Sequence, residues 1–120
     1  MIVEKEWAAA DLTAAAIEEE YKRSCVFHES TFHSPHEAYA IIREEIEETT
    51  EALERVTENL QFLWKNYIRE DCPMLKHLLG RFFEDAFLLA LESMQVAAMF
   101  RKLKESNEKW ENEDETSTDK

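Results

Sequence analysis

Apolar residues recur along this chain at alternating steps of three and four, the signature of helices buried along one stripe. Trp7, Ala10, Ala14, Ile17 and Tyr21 form the first stripe and predict a helix within about residues 4–23. "SCVFHESTFH" interrupts the period and reads as a loop. Ser34-Pro35-His36-Glu37 then has the form of a capping box with proline in the first turn, a helix start signal. The second stripe is Ile42, Ile46, Thr49, Leu53, Val56, Leu60, Leu63 and Tyr67, a nearly unbroken heptad. "REDCP" ends it, because the residue before a proline resists the helical conformation, and Pro73 is predicted to open the third helix. That helix carries the seam Leu75, Leu79, Phe82, Ala86, Leu89, Ser93, Val96, Phe100, Leu103. A second stripe, Phe83, Phe87, Leu91, Met94 and Ala98, lies opposite. A helix apolar on two sides must be covered on two sides. The N-terminal helix is expected to cover one, and a second copy of the chain more, which predicts a homodimer or higher homo-oligomer. The expected fold is therefore all-α: a helical bundle built on a long antiparallel hairpin of helices 2 and 3, with an N-terminal helix against it.

Composition narrows this picture. One glycine and two prolines are too few for the turns of a multi-stranded sheet. The 120 residues suit one domain, expected over 1–104. The segment 105–120 has seven acidic residues against Lys109 and Lys120 and reads as an acidic disordered tail. The net charge of −13 repels nucleic acid and anionic membrane, and suits metal cations or a basic protein partner. Cys25 and Cys72 fit no zinc spacing, the first residues lack the order of a signal peptide, and no apolar run approaches a membrane span. A reduced, cytoplasmic chain is the expectation.

The acids are not spread evenly around helix 2. With about 100° per residue and Ile42 at the seam centre, Glu45 falls about 60° to one side and Glu48 about 120° to the same side. Glu44 and Glu47 point away. On helix 3, with Leu89 at the centre, Glu92 and Gln95 fall at the same two angles in the same sense, and Asp85 shares their face. If the hairpin turns at 70–71, Glu48 lies 22 residues before the turn and Glu92 lies 21 after it. Glu45 and Gln95 are matched in the same way. Equal offsets in one sense reach the same side of an antiparallel hairpin, so Glu45, Glu48, Glu92 and Gln95 should converge. Three carboxylates gathered beside an apolar seam repel one another and call for a cation, and all-oxygen ligands suit Mg²⁺ or Mn²⁺.

These residues carry a family resemblance. "HEAYAIIREEIEE" resembles the first helix motif of the MazG-like all-α nucleoside triphosphate pyrophosphohydrolases, whose pattern is E-E-x-x-E followed later by E-x-x-D. Glu44-Glu45-Ile46-Glu47-Glu48 matches the first half, and Glu92-Ser93-Met94-Gln95 stands where the second would be. "LESMQVAAMFRKL" and the lead-in "FHSPHEAYA" resemble small phage-borne members, so a phage or prophage origin is implied. The resemblance covers about 32–48 and 89–103. It departs from the pattern in a longer gap between the halves and in Gln95, a neutral amide in place of Asp. Asp85 or Glu44 is expected to compensate for the lost charge. The resemblance implies a Mg²⁺ bridging Glu45, Glu48 and Glu92 to a nucleoside triphosphate, and hydrolysis to the monophosphate and pyrophosphate. Lys102, about 140° from the seam on the same side, is expected as a solvated lysine or as a phosphate contact.

Two other constellations are weaker. His28, His33 and His36 with Glu37 offer zinc ligands, but Ala40 stands where H-E-x-x-H needs its second histidine. His36 is expected in the first helical turn, where a helix N-terminus also attracts anions. The alternative function is a catalytically degenerate acidic helical protein that binds and inhibits a basic, nucleic-acid-binding partner.

Overall fold

Ser34 starts the central helix as its sequence requires. Its hydroxyl accepts the Glu37 N–H at 3.1 Å, and its carbonyl accepts the Ala38 N–H at 3.1 Å. The reciprocal arm of the box is displaced by one residue: the Glu37 carboxylate takes the His33 N–H at 3.5 Å. The computed structural model describes residues 7–27 and 29–118, and no strand occurs among them. They form α1 (Trp7–Phe27), α2 (Pro35–Leu63) and α3 (Lys76–Thr118). A π-helical turn, Trp64–Ile68, prolongs α2. The architecture is all-α, with α2 and α3 packed as a long antiparallel hairpin.

Three boundaries differ from the sequence expectation, each for a local reason. First, α1 runs on to Phe27, because Ser24 and Cys25 are half-buried rather than part of a free loop. The start of its expected range, residues 4–6, lies outside the described residues. Second, Pro73 does not open α3. The Cys72 N–H reaches back to the Tyr67 carbonyl at 2.8 Å, and Asp71 adopts φ 57°, so the chain is still turning there. Helical bonding begins with Leu79 N–H to the Leu75 carbonyl at 3.1 Å. Third, α3 continues to Thr118, through the segment expected to be a disordered tail. Side-chain links one turn apart, Arg101–Glu105 and Asn107–Glu111, run along it.

The chain divides into two units, one made of residues up to Glu44 and from Met94 onward, the other of Glu45–Ser93. The first unit holds most of the buried residues: Phe32, Ala38, Ile42, Ala98, Lys102 and Ser106. Ser106 ties it together over long sequence distance. Its hydroxyl accepts the Phe32 N–H at 2.8 Å and donates to the Lys102 carbonyl at 2.7 Å. On the α1 side, Arg101 pairs with Glu18 and lies over the Tyr21 ring at 4.3 Å.

The second unit is the hairpin itself. Asn59 donates to Asp85 across it at 2.8 Å, and Phe62 meets Phe82 edge-on at 6.1 Å. Its heptad is only half used. Thr49, Val56 and Leu63 on α2, and Phe82 and Leu89 on α3, are half-buried between the helices. The alternate row, Ile46, Leu53 and Leu60 on α2 with Leu79 and Ala86 on α3, is exposed. Every residue from 45 to 93 is described, and only Ala52 among them is buried.

Candidate functional site

Glu45 and Glu48 stand three residues apart on α2, so they share one face of that helix one turn from each other. The antiparallel turn at 69–75 returns α3 along α2 with Glu92 at their height. One carboxylate oxygen from each of the three can be chosen so that all lie within 4.8 Å of one another. Glu45 and Glu92 are half-buried beside the seam, and Glu48 is exposed. For the three carboxylates, this is the convergence that the wheel positions and the matched distances from the turn predict.

The donor set can be tested against a small divalent cation. Oxygens on opposite sides of Mg²⁺ lie about 4.1 Å apart and adjacent ones about 2.9 Å. One carboxylate oxygen from each glutamate lies within 4.8 Å of the other two. Three single-oxygen ligands would leave about half of an octahedral shell for water and phosphate oxygens. Three carboxylates are donors of the kind that Mg²⁺ or Mn²⁺ takes, and exposed acidic groups also gather without an ion.

The remaining candidates differ in their surroundings. Asp85 is half-buried, accepts the amide of Asn59, and lies outside the three-carboxylate group. Glu44 is exposed, and Gln95 is half-buried. Lys102 is not a solvated lysine. It is 4% exposed, with Nζ 3.4 Å from the Ser24 hydroxyl and 5.0 Å from the Phe32 ring centre. Extension of α1 past residue 23 explains this, since it brings Ser24 over the lysine. Asn59 was missed by sequence reasoning. Its signal was its distance before the turn, close to that of Asp85 after it.

Of the histidines, His36 is exposed in the first turn of α2, and His28 lies outside the described residues. Both ring nitrogens of His33 are held by carboxylates. Nε2 lies 2.7 Å from Glu29 and Nδ1 3.0 Å from Glu37. The hydrogen bond and charge of Glu29, followed by the charge of Glu37, raise its pKa above the ordinary 6.5. Among the described residues, no helix is long and apolar enough to cross a membrane. Matched against models of protein families, against curated proteins and against solved structures, the chain finds no similar protein.

Proposed function

We propose that this chain is a Mg²⁺-dependent nucleoside triphosphate pyrophosphohydrolase, cleaving the triphosphate to the monophosphate and pyrophosphate. The single observation that carries this reading is the gathering of Glu45, Glu48 and Glu92, from two helices, within reach of one small cation. The resemblance of Glu44–Glu48 and Glu92–Gln95 to the MazG-like motif halves supports the substrate class. A divalent cation held there supplies a water of lowered pKa and offsets charge on the phosphates. The protein's own part is positional. Glu45 and Glu92, half-buried beside the seam, would supply two donors. Glu48, exposed, leaves the site open on the solvent side for a bulky triphosphate. With Gln95 the pattern has one carboxylate fewer than the family's, which lowers the affinity expected for the cation.

A magnesium-dependent pyrophosphate-release screen across the common ribo- and deoxyribonucleoside triphosphates tests this. Release is expected for at least one nucleotide in the wild type, with loss of two orders of magnitude or more in Glu92→Gln and little change in Glu47→Gln. No release with any nucleotide, at any Mg²⁺ or Mn²⁺ concentration, would remove the enzymatic reading. The net charge of −13 supports one second reading, a binder of a basic protein. That interaction would be strongly weakened by salt and indifferent to Glu92→Gln.

A further inference from the structure

We infer that the exposed heptad row of the hairpin is an interface between two copies of this chain, paired antiparallel about a two-fold axis. The inference is independent of the nucleotide reading. In a helix pair with a continuous heptad, one of the two apolar rows can be satisfied within the pair and the other needs a further helix. That division is seen here. Leu60 is 64% exposed, Leu53 is 52% exposed and Ile46 43%, whereas Val56 and Leu63 between them are half-buried. On α3, Leu79 is exposed while Phe82 and Leu89 are half-buried. On the helical wheel the two open rows are displaced from the covered rows in the same rotational sense, so they line one face of the hairpin. The carboxylates are displaced in the opposite sense, so that face is not the one carrying Glu48.

The area suits a second copy. Ile46, Leu53, Leu60, Trp64, Leu79 and Phe83, about half exposed on average, offer on the order of 600–700 Å² per copy, near the roughly 800 Å² that one partner contributes to a stable interface. The need is also clear, since a unit of this size with Ala52 as its one buried residue has almost no core of its own.

Charge selects the partner and its direction. The hairpin tip, residues 55–81, carries Arg55, Lys65, Arg69, Lys76 and Arg81 against Glu58, Glu70 and Asp71. The flanks, 45–54 and 82–93, carry five acidic residues besides the three displaced to the other side, and no basic one. Two copies paired parallel would set acidic flank on acidic flank. Paired antiparallel, the basic tip of each copy lies along the acidic flank of the other, and the same contact is made twice, as an isologous interface requires.

Sedimentation and chemical cross-linking test this. The wild type is expected at twice 14.2 kDa at micromolar concentration, and Leu53→Glu/Leu60→Glu at 14.2 kDa with its helical circular dichroism largely retained. Both leucines are already more than half exposed in the single chain, so the substitution leaves the hairpin's own contacts in place. Direction is read in a Cys25→Ser/Cys72→Ser background by mixing Ile46→Cys and Trp64→Cys preparations. Mixed 46–64 disulfides are expected in preference to 46–46 or 64–64. A wild-type monomer, a dimer that survives the double substitution, or same-residue disulfides would each overturn the inference. So would a monomer that uses this face to capture a different macromolecule.

Discussion

Ser106 shows how little of the first unit can be read locally. Its neighbours in sequence are charged and polar, and composition alone assigns the stretch to a solvated tail. Its hydroxyl nevertheless pairs with the Phe32 N–H, a residue 74 positions away. No periodicity reports such a pairing, because it depends on the loop before α2 crossing α3. Ser106→Ala would leave the buried Phe32 N–H without its acceptor, at a cost of about 1–3 kcal/mol. Chemical denaturation should show the unfolding free energy falling by that amount, whereas a truly unfolded tail would show no change. His33 makes a second residue-scale prediction. With both ring nitrogens against carboxylates, its folded-state pKa is raised above the ordinary 6.5. Its contribution to stability is therefore fully present below about 6.5 and is lost as pH rises through the raised value. His33→Gln should flatten the decline of melting temperature across that window. The change should be small, because the pair is exposed. An NMR titration placing the His33 pKa at or below its ordinary value would contradict the assignment.

Among the elements, α2 was the most legible. Ser34, Pro35 and Glu37 announce its first turn, and the heptad sustains it. The ends of α1 and α3 were less so, for opposite reasons. Ser24, a poor helix former, meets Lys102 from α3, a contact which sequence does not display. Pro73 is a good helix starter that sits in a turn still being closed by Cys72 and Asp71. Within α3, Gly80 invites the expectation of a close contact or a kink. No atom lies within 4 Å of where its Cβ would be, and the helix is continuous there. Glycine is then only an entropic weakness. Gly80→Ala should stabilise the protein by about 1 kcal/mol, read as a higher melting temperature. A loss of stability instead would mean that a partner approaches α3 at this position.

At the scale of the whole molecule, charge decides the behaviour. Glu45, Glu48 and Glu92 were legible because a long hairpin converts distance from the turn into height and wheel angle into side. The surroundings of Asp85 and Lys102 were not, because they depend on partners that the wheel omits. With −13 net charge, monovalent salt should stabilise the fold generally by screening, over a Debye length of about 8 Å at physiological ionic strength. A cation held by the carboxylates should act differently. It binds the folded arrangement, and by mass action adds about 2.7 kcal/mol at a hundred times its Kd. The two effects separate when Mg²⁺ or Mn²⁺ replaces NaCl at constant ionic strength. The wild type should gain melting temperature with a saturating dependence on the divalent ion. Glu48→Gln, relieved of one repelling charge, should be as stable as the wild type or more so without the ion and should gain far less with it. Glu47→Gln, one residue along and facing away, should follow the wild type. If the two variants respond alike, the three acids are a solvated flank, and binding of a basic partner becomes the better account of this chain.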